Sequence, residues 1–173
     1  MYARNVTIRL EAFAAEHLAL FDELRDDPAV LRYTRLPANA PADFGRQWLD
    51  RYEQGRRDGT REVFAIVDGD EAVVGFAAAV SIDREAATAE LGYVVVERAR
   101  GRGYASRALS LLTDWGFTEL GAQRLELLIG VDNEPSKRVA EKCGYQREGV
   151  LRSFATKPGV REDMELWSRL PTD

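Results

Sequence analysis

The chain has 173 residues, 45% hydrophobic and 31% charged, which suits one globular domain that buries about 70% of its unfolded surface without a disulfide or metal staple. Its net charge of −5 argues against broad nucleic-acid binding and favours cationic or neutral partners. One cysteine (Cys143) and one histidine (His17) exclude a disulfide framework and Cys/His metal clusters, and no run approaches the ~18–20 apolar residues of a membrane span.

Residues 1–11 have neither the apolar core nor the cleavage site of a secretory signal, so the expected location is the cytoplasm. Residues 6–10 alternate and predict a first strand. Residues 14–26 predict a helix with Leu18, Phe21 and Leu24 on one face, stopped at Asp26-Asp27-Pro28. A second helix is expected after Pro41, with Phe44, Trp48, Leu49 and Tyr52 inward and the polar run 54–61 ending it. Strands at 63–67 and 73–82 flank a turn at Asp68-Gly69-Asp70, and a third strand covers 89–96. The period becomes helical at Tyr104, with Ala105, Ala108, Leu109, Leu112 and Trp115 on one face, and returns to two at Leu125, Leu127 and Ile129. Residues 134–142 predict a short helix that Gly144 caps. Strands at 145–156 and 161–170 close the chain around Lys157-Pro158-Gly159. Helices inserted among mostly antiparallel strands indicate a mixed α/β sheet rather than a doubly wound one.

Arginine supplies 21 of the 24 basic residues; the lysines are Lys137, Lys142 and Lys157. A coding bias explains the total but not the placement of Arg98, Arg100, Arg102 and Arg107 between a strand and a helix. Gly101 and Gly103 let that loop turn its N–H groups inward, and the helix N-terminus adds unpaired donors. The arrangement suits a phosphate or pyrophosphate; the same glycines also fit a plain turn on a solvated basic face. A Rossmann fingerprint is absent, since Ser106 follows Gly101 and Gly103, and so is a P-loop.

Arg100-x-x-Gly103-x-Ala105 resembles the Q/R-x-x-G-x-G/A acyl-CoA loop of the GNAT superfamily of N-acetyltransferases. Ala89-Glu90-Leu91-Gly92-Tyr93 looks like the preceding strand of its RimJ/RimL-type branch. Residues 133–145, with Asn133, Ser136, Arg138, Glu141 and Gly144, are similar to that branch's N-x-x-S-x-R-V-x-E-K-x-G-F/Y segment. The resemblance implies an α/β (α+β) GNAT fold over residues 1–173 as a single domain: a mixed, mostly antiparallel sheet of about seven strands, helices on both faces, and a splayed strand pair. It also implies transfer of the acetyl group of acetyl-CoA, without a metal, to a primary amine of a protein N-terminus or small molecule. A homodimer is a further expectation. A non-catalytic acyl-CoA sensor or interaction module on the same fold is the alternative.

Residue by residue, the resemblance has backbone groups of Val94, Val95 and Val96 meet the pantetheine amides. The N–H groups of Arg100, Gly101, Arg102, Gly103, Tyr104 and Ala105 hold the pyrophosphate, and Asn133 and Ser136 contact the cofactor arm. Transfer to an amine requires a base, a stabilised oxyanion and a proton for the leaving thiolate. Glu90 is the candidate base, sharing a strand face with Gly92 and Val94, and a backbone N–H near Tyr93 or Val94 polarises the carbonyl. Ser136 is the candidate acid, because Ala140 stands where many members carry a tyrosine; a helix-capping role is its plainer reading. Tyr33 and Phe154 are candidate acceptor contacts, with Trp48 and Tyr52 nearby in the helical insertion. Arg152 and Asp163 either select the amine or pair across the closing hairpin. Cys143 reads as a core residue and His17 as a surface one.

Overall fold

A computed structural model describes residues 7–173. In chain order it contains β1 (Ile8–Ala12), α1 (Leu20–Leu24), α2 (Pro28–Tyr33), α3 (Phe44–Asp58), β2 (Glu62–Asp68), β3 (Val73–Asp83) and β4 (Thr88–Val95). There follow α4 (Tyr104–Thr118), β5 (Arg124–Gly130), α5 (Glu134–Lys142), β6 (Gln146–Lys157) and β7 (Val160–Arg169). The strands form one seven-stranded sheet in the order β1-β2-β3-β4-β5-β7-β6. Only β4 and β5 run parallel, so the sheet is mixed and mostly antiparallel, as expected. The first strand expected from residue 6 is described from Ile8; Val6 lies outside the described residues.

Cross-strand register decides how the helices stack. Phe64 pairs with Ala77 and Phe76 with Ala65, so the two phenylalanines stand on opposite faces of the sheet. Trp115 of α4 packs edge-on against Phe64, ring centroids 5.2 Å apart, while Trp48 of α3 lies 4.9 Å from Phe76. The sheet is therefore covered on both sides. Leu109 and Leu112 of α4 and Leu49 of α3 are fully buried in this core. No helix among the described residues is long and apolar enough to cross a membrane.

The first helical region departs from expectation. Residues 14–26 divide into a 3₁₀ turn at Ala15–His17 and the short α1. His17 is buried rather than on the surface. Its Nδ1 accepts the Ala14 N–H at 3.0 Å, Nε2 meets Glu11 Oε1 at 3.0 Å, and the ring packs on Phe13. A side chain that takes a backbone donor in this way competes with continuous helix. The Asp27-Pro28 stop also starts α2, a helix the pattern did not announce. Asp27 accepts the Ala29 and Val30 N–H groups at 2.9 and 3.2 Å, and Pro28 occupies the first turn, where its missing N–H costs nothing. Further on, α3 ends inside the polar run 54–61, as expected: residues 54–58 form its last turn, and Gly59, at φ 70°, closes the helix.

Asp27 does a second job. Its buried carboxylate takes Arg100 at 2.5 and 3.3 Å, tying the α2 N-terminus to the loop after β4. Burial pushes this carboxyl up, but the Arg100 hydrogen bond and charge and the two capping N–H groups outweigh it, leaving it below its ordinary value. A depressed folded-state pKa gives stability that is present above the unfolded value of ~3.9 and lost as pH falls through the folded one. Asp27→Asn, which keeps the cap and breaks the ion pair, should cost about 2 kcal/mol, and Asp27→Ala, which removes both, about 3–4 kcal/mol. Urea unfolding at neutral pH measures the order of the two, and both variants should show a shallower loss of stability below pH ~4.

Candidate active site

The parallel pairing of β4 with β5 is short. Thr88, Ala89 and Glu90 oppose Arg124, Leu125 and Glu126, and there the ladder ends. Beyond it β5 pairs with β7 and β4 with β3, so the two strands part and open a cleft. Val96 donates to Val74 O at 2.9 Å, and a Cβ on Gly75 would stand 2.0 Å from the Val94 carbonyl oxygen. Val94 and Val96 thus turn their backbone groups toward β3. This corrects the expectation that Val94, Val95 and Val96 serve a ligand together: strand alternation leaves Leu91, Tyr93 and Val95 facing the cleft. Unpaired strand edges of this kind require a hydrogen-bonding occupant, and the amides of a pantetheine arm meet that need.

The loop at the open end separates its arginines into two kinds. Arg98 is bound to Glu23 at 2.8 and 3.0 Å and to Val73 O. Arg100 holds Asp27 and the Val95 carbonyl, and its own N–H is spent on Glu97 O at 3.1 Å. These two fix the loop and are not free for a phosphate, which corrects the assignment of Arg100 to the anion. Arg102 and Arg107 are exposed. The first bond into α4 runs from the Arg107 N–H to Gly103 O, so the N–H groups of Gly101, Arg102, Gly103, Tyr104 and Ala105 precede the helical ladder. Gly101 and Gly103 adopt φ 72° and 91°, which points such donors into one concavity. The donor set fits a pyrophosphate.

Across the cleft stands the α5 N-terminus. Asn133, not Ser136, is the cap: its Oδ1 accepts the Ser136 N–H at 3.3 Å. The Asn133 amide NH₂ and the Ser136 hydroxyl are left for a ligand, and both residues line the cavity. Facing them is Tyr93, a side chain not singled out from the sequence. Its hydroxyl is buried and meets no hydrogen-bond partner among the described residues. Burial pushes the phenol up to about 12, and Ser136 is the polar side chain that pulls it back. Alternation carries the signal, since Tyr93 projects opposite to Glu90, toward α5. Cys143 is buried against Ser106 O, as a core residue should be.

On the other side of β4 the cavity, of about 490 Å³, is roofed by α2 and its following loop. Arg32 clamps this roof to Asp132 at 2.8 Å and to Glu162, and Lys157 bonds Leu31 O. Tyr33 and Phe154 line the space, with Trp48 and Tyr52 beneath. Asp163 pairs across the hairpin by accepting the Ser153 N–H at 2.8 Å. Glu90 is mostly buried, and Arg35 Nη2 donates to its Oε1 at 2.7 Å. Burial pushes the Glu90 carboxyl up and Glu126 adds to that; Arg35 pulls it down by charge and hydrogen bond, and the balance lies above the ordinary carboxylate value. A base displaced toward neutrality in a cleft is suited to proton transfer. Arg35 was not anticipated. No cluster of His, Cys, Asp or Glu among the described residues is arranged to hold a metal.

A family model described as an acetyltransferase (GNAT) domain matches residues 7–146. Spermidine N(1)-acetyltransferase of Escherichia coli strain K12 is 27% identical over 84% of this chain and 76% of its own length. L-amino acid N-acetyltransferase AaaT of the same strain is 30% identical over 75% of this chain and 79% of its own length. Among solved structures, that of RimL, a ribosomal α-N-protein acetyltransferase, in complex with coenzyme A is similar at TM-score 0.86. It is 19% identical and the match covers 98% of this chain and 96% of that one.

A side chain at Gly103 must adopt a positive φ, which a β-branched residue resists by ~1–2 kcal/mol. Gly103→Val should raise the acetyl-CoA Kd about tenfold or more, equivalent to about 1.4 kcal/mol, as read by titration calorimetry, with the melting temperature lowered by only a few degrees.

Proposed function

The chain belongs to the GNAT acetyltransferase family, and from that membership we propose how its own residues carry an acetyl group from acetyl-CoA to a primary amine. It is an N-acetyltransferase with acetyl-CoA as co-substrate, which supplies an activated acyl group on a good leaving thiol. We take residues 1–173 as one catalytic domain. The observation that carries the reading is Glu90: a desolvated carboxylate at the point where β4 and β5 part, on the lining of a cavity of about 490 Å³.

In the proposed mechanism the cleft-facing edge of β4 and Asn133 hold the pantetheine arm, and the donors from Gly101 to Ala105 hold the pyrophosphate. Glu90 accepts a proton from the incoming ammonium, directly or through water, freeing the nitrogen lone pair to form the new C–N bond. The Tyr93 N–H, on the cleft side of β4, stabilises negative charge on the carbonyl oxygen. As the C–S bond breaks, its electron pair stays on sulfur, and Ser136 delivers a proton there with Tyr93 behind it as the source. A buried phenol with no other partner suits that role. The ammonium gives up two protons, the first to Glu90 before attack and the second from the tetrahedral nitrogen through water. The thiolate takes one from the hydroxyl pair; one of the two nitrogen protons restores that pair, and the other leaves to solvent from Glu90. A purely sensing protein has no use for this arrangement. Tyr33 and Phe154 are proposed acceptor contacts. β6 is an outer strand with Val150 and Leu151 exposed, which supports a homodimer through that edge.

Glu90→Gln should lower kcat at neutral pH by on the order of 10²–10⁴ while leaving the acetyl-CoA Kd nearly unchanged. Arg35 holds the Glu90 pKa down, so Arg35→Gln should move the acidic limb of the kcat/KM profile to higher pH. Thiol release from acetyl-CoA over a panel of primary amines measures both; an unmoved limb removes Glu90 as the base.

Tyr93→Phe should reduce kcat on the order of 10²-fold with KM for acetyl-CoA unchanged. The loss should shrink with an acetyl thioester of a more acidic thiol, a dependence that a packing defect would not produce.

A further inference from the structure

The acceptor side of the cavity has a charge opposite to that of the protein. The chain carries −5, yet Arg35, Arg51 and Arg61 all line this space and Glu90 is the carboxylate that faces them. Glu162, also on the lining, is already tied to Arg32. Arg51 lies over the Phe44 ring at 5.8 Å and Arg61 over Tyr52 at 5.9 Å. Among the described residues neither has a carboxylate at ion-pair distance, although most other arginines near the site do. All three guanidiniums act on the buried Tyr52 hydroxyl, and Arg61 acts on Glu90 as well. They form one group at the acceptor position. They are also remote from the phosphate donors: Glu90 to Val95 alone spans about 16 Å of strand, and the glycine loop lies beyond.

We propose that the acceptor is a primary amine with a carboxylate on an apolar body, specifically an α-amino acid with a large apolar side chain. The proposal rests on the transferase reading above. An α-amino acid carries its ammonium and carboxylate on one carbon, and Glu90 and Arg35 already touch at 2.7 Å. The ammonium goes to Glu90, and the carboxylate to Arg35 with Arg61 behind it, where bidentate recognition is the natural use of a guanidinium. The side chain then lies on the aromatic floor of Phe44, Trp48 and Phe76, where Trp48 and Phe76 centroids are 4.9 Å apart. A polyamine would bring its second and third charges against guanidiniums, and a peptide N-terminus has no carboxylate beside its amine. The acidic whole-chain balance, which favours cationic partners, is reversed at the one place where the acceptor binds.

The test compares kcat/KM for L-phenylalanine, L-tryptophan and L-leucine with that for phenethylamine, tryptamine and isoamylamine, their partners lacking only the carboxylate, and with spermidine. The amino acids should exceed their decarboxylated partners at least tenfold for one or more pairs, and Arg61→Gln should reduce that ratio at least fivefold. Where Arg61→Gln melts early, Arg51→Gln carries the same comparison. Equal or better turnover of the decarboxylated amines or of spermidine overturns the acceptor assignment and leaves acetyl transfer standing. A ratio that Arg61→Gln and Arg51→Gln do not move overturns the arginine site. Absence of thiol release with every amine overturns the transferase reading, and this inference with it.

Discussion

β4 and β5 stay paired for only three residues on each strand, and the rest of the molecule is arranged around the point where they part. Each keeps a partner on its other side, β3 for β4 and β7 for β5, so the separation frees one edge of each strand without unravelling the sheet. A freed edge inside a protein is unsatisfied backbone, which makes the cleft a binding site before any side chain is considered. Glu90 is the last residue of β4 that pairs with β5. Its position at the closed end of the cleft, not its own chemistry, desolvates it and raises its pKa.

Keeping such a cleft open requires both of its rims to be held from outside the sheet. Arg98 and Arg100 fasten the glycine loop to Glu23 and Asp27 of the first helical region. Arg32 fastens the other end of that region to Asp132 and Glu162, beside β5 and on β7. The α1–α2 segment therefore bridges both rims, and its short helices and strong cap suit a strap whose ends are pinned. Exposed ion pairs contribute little individually. The Asp27 carboxylate, 4% exposed and also serving as a helix cap, contributes more, since its loss would leave a buried network incomplete.

Legibility in the sequence followed the range of the physics involved. The α5 segment was expected at 134–142 and lies at Glu134–Lys142, because a proline-bearing first turn, a helical period and a terminal glycine are all local. The strands from 62 to 95 announced themselves by composition, and the family motif pointed to Glu90, Asn133 and the glycine loop as candidates. The stop at Asp26-Asp27-Pro28 was legible, but the division of residues 14–26 and the start of α2 were not, since they depend on His17 and Asp27 taking backbone donors. The fate of Arg100 was hidden for a different reason: its partner is 73 positions away. Arg35, Arg51 and Arg61 were lost among 21 arginines, and only the fold separates those facing the cavity from those facing water. Tyr93 carried a usable signal, its alternation with Glu90, but it draws notice only once α5 is known to lie on that side.

Net charge and local charge answer different questions. Exposed charges are screened over roughly 8–10 Å at ordinary salt, so the surplus of carboxylates on the outer surface has little influence on a ligand already inside the cavity. Groups within a few ångströms act there through a lower effective dielectric. A guanidinium over an aromatic face keeps its charge and much of its apolar contact, so Arg51 and Arg61 can line an aromatic cavity without a carboxylate of their own. On the proposed reading, selection of the acceptor falls to a few cations lining the cavity that the overall balance conceals. The same separation holds within the glycine loop, where backbone donors lie free at the helix start and two of the four arginines are tied to Glu23 and Asp27 and fix the loop.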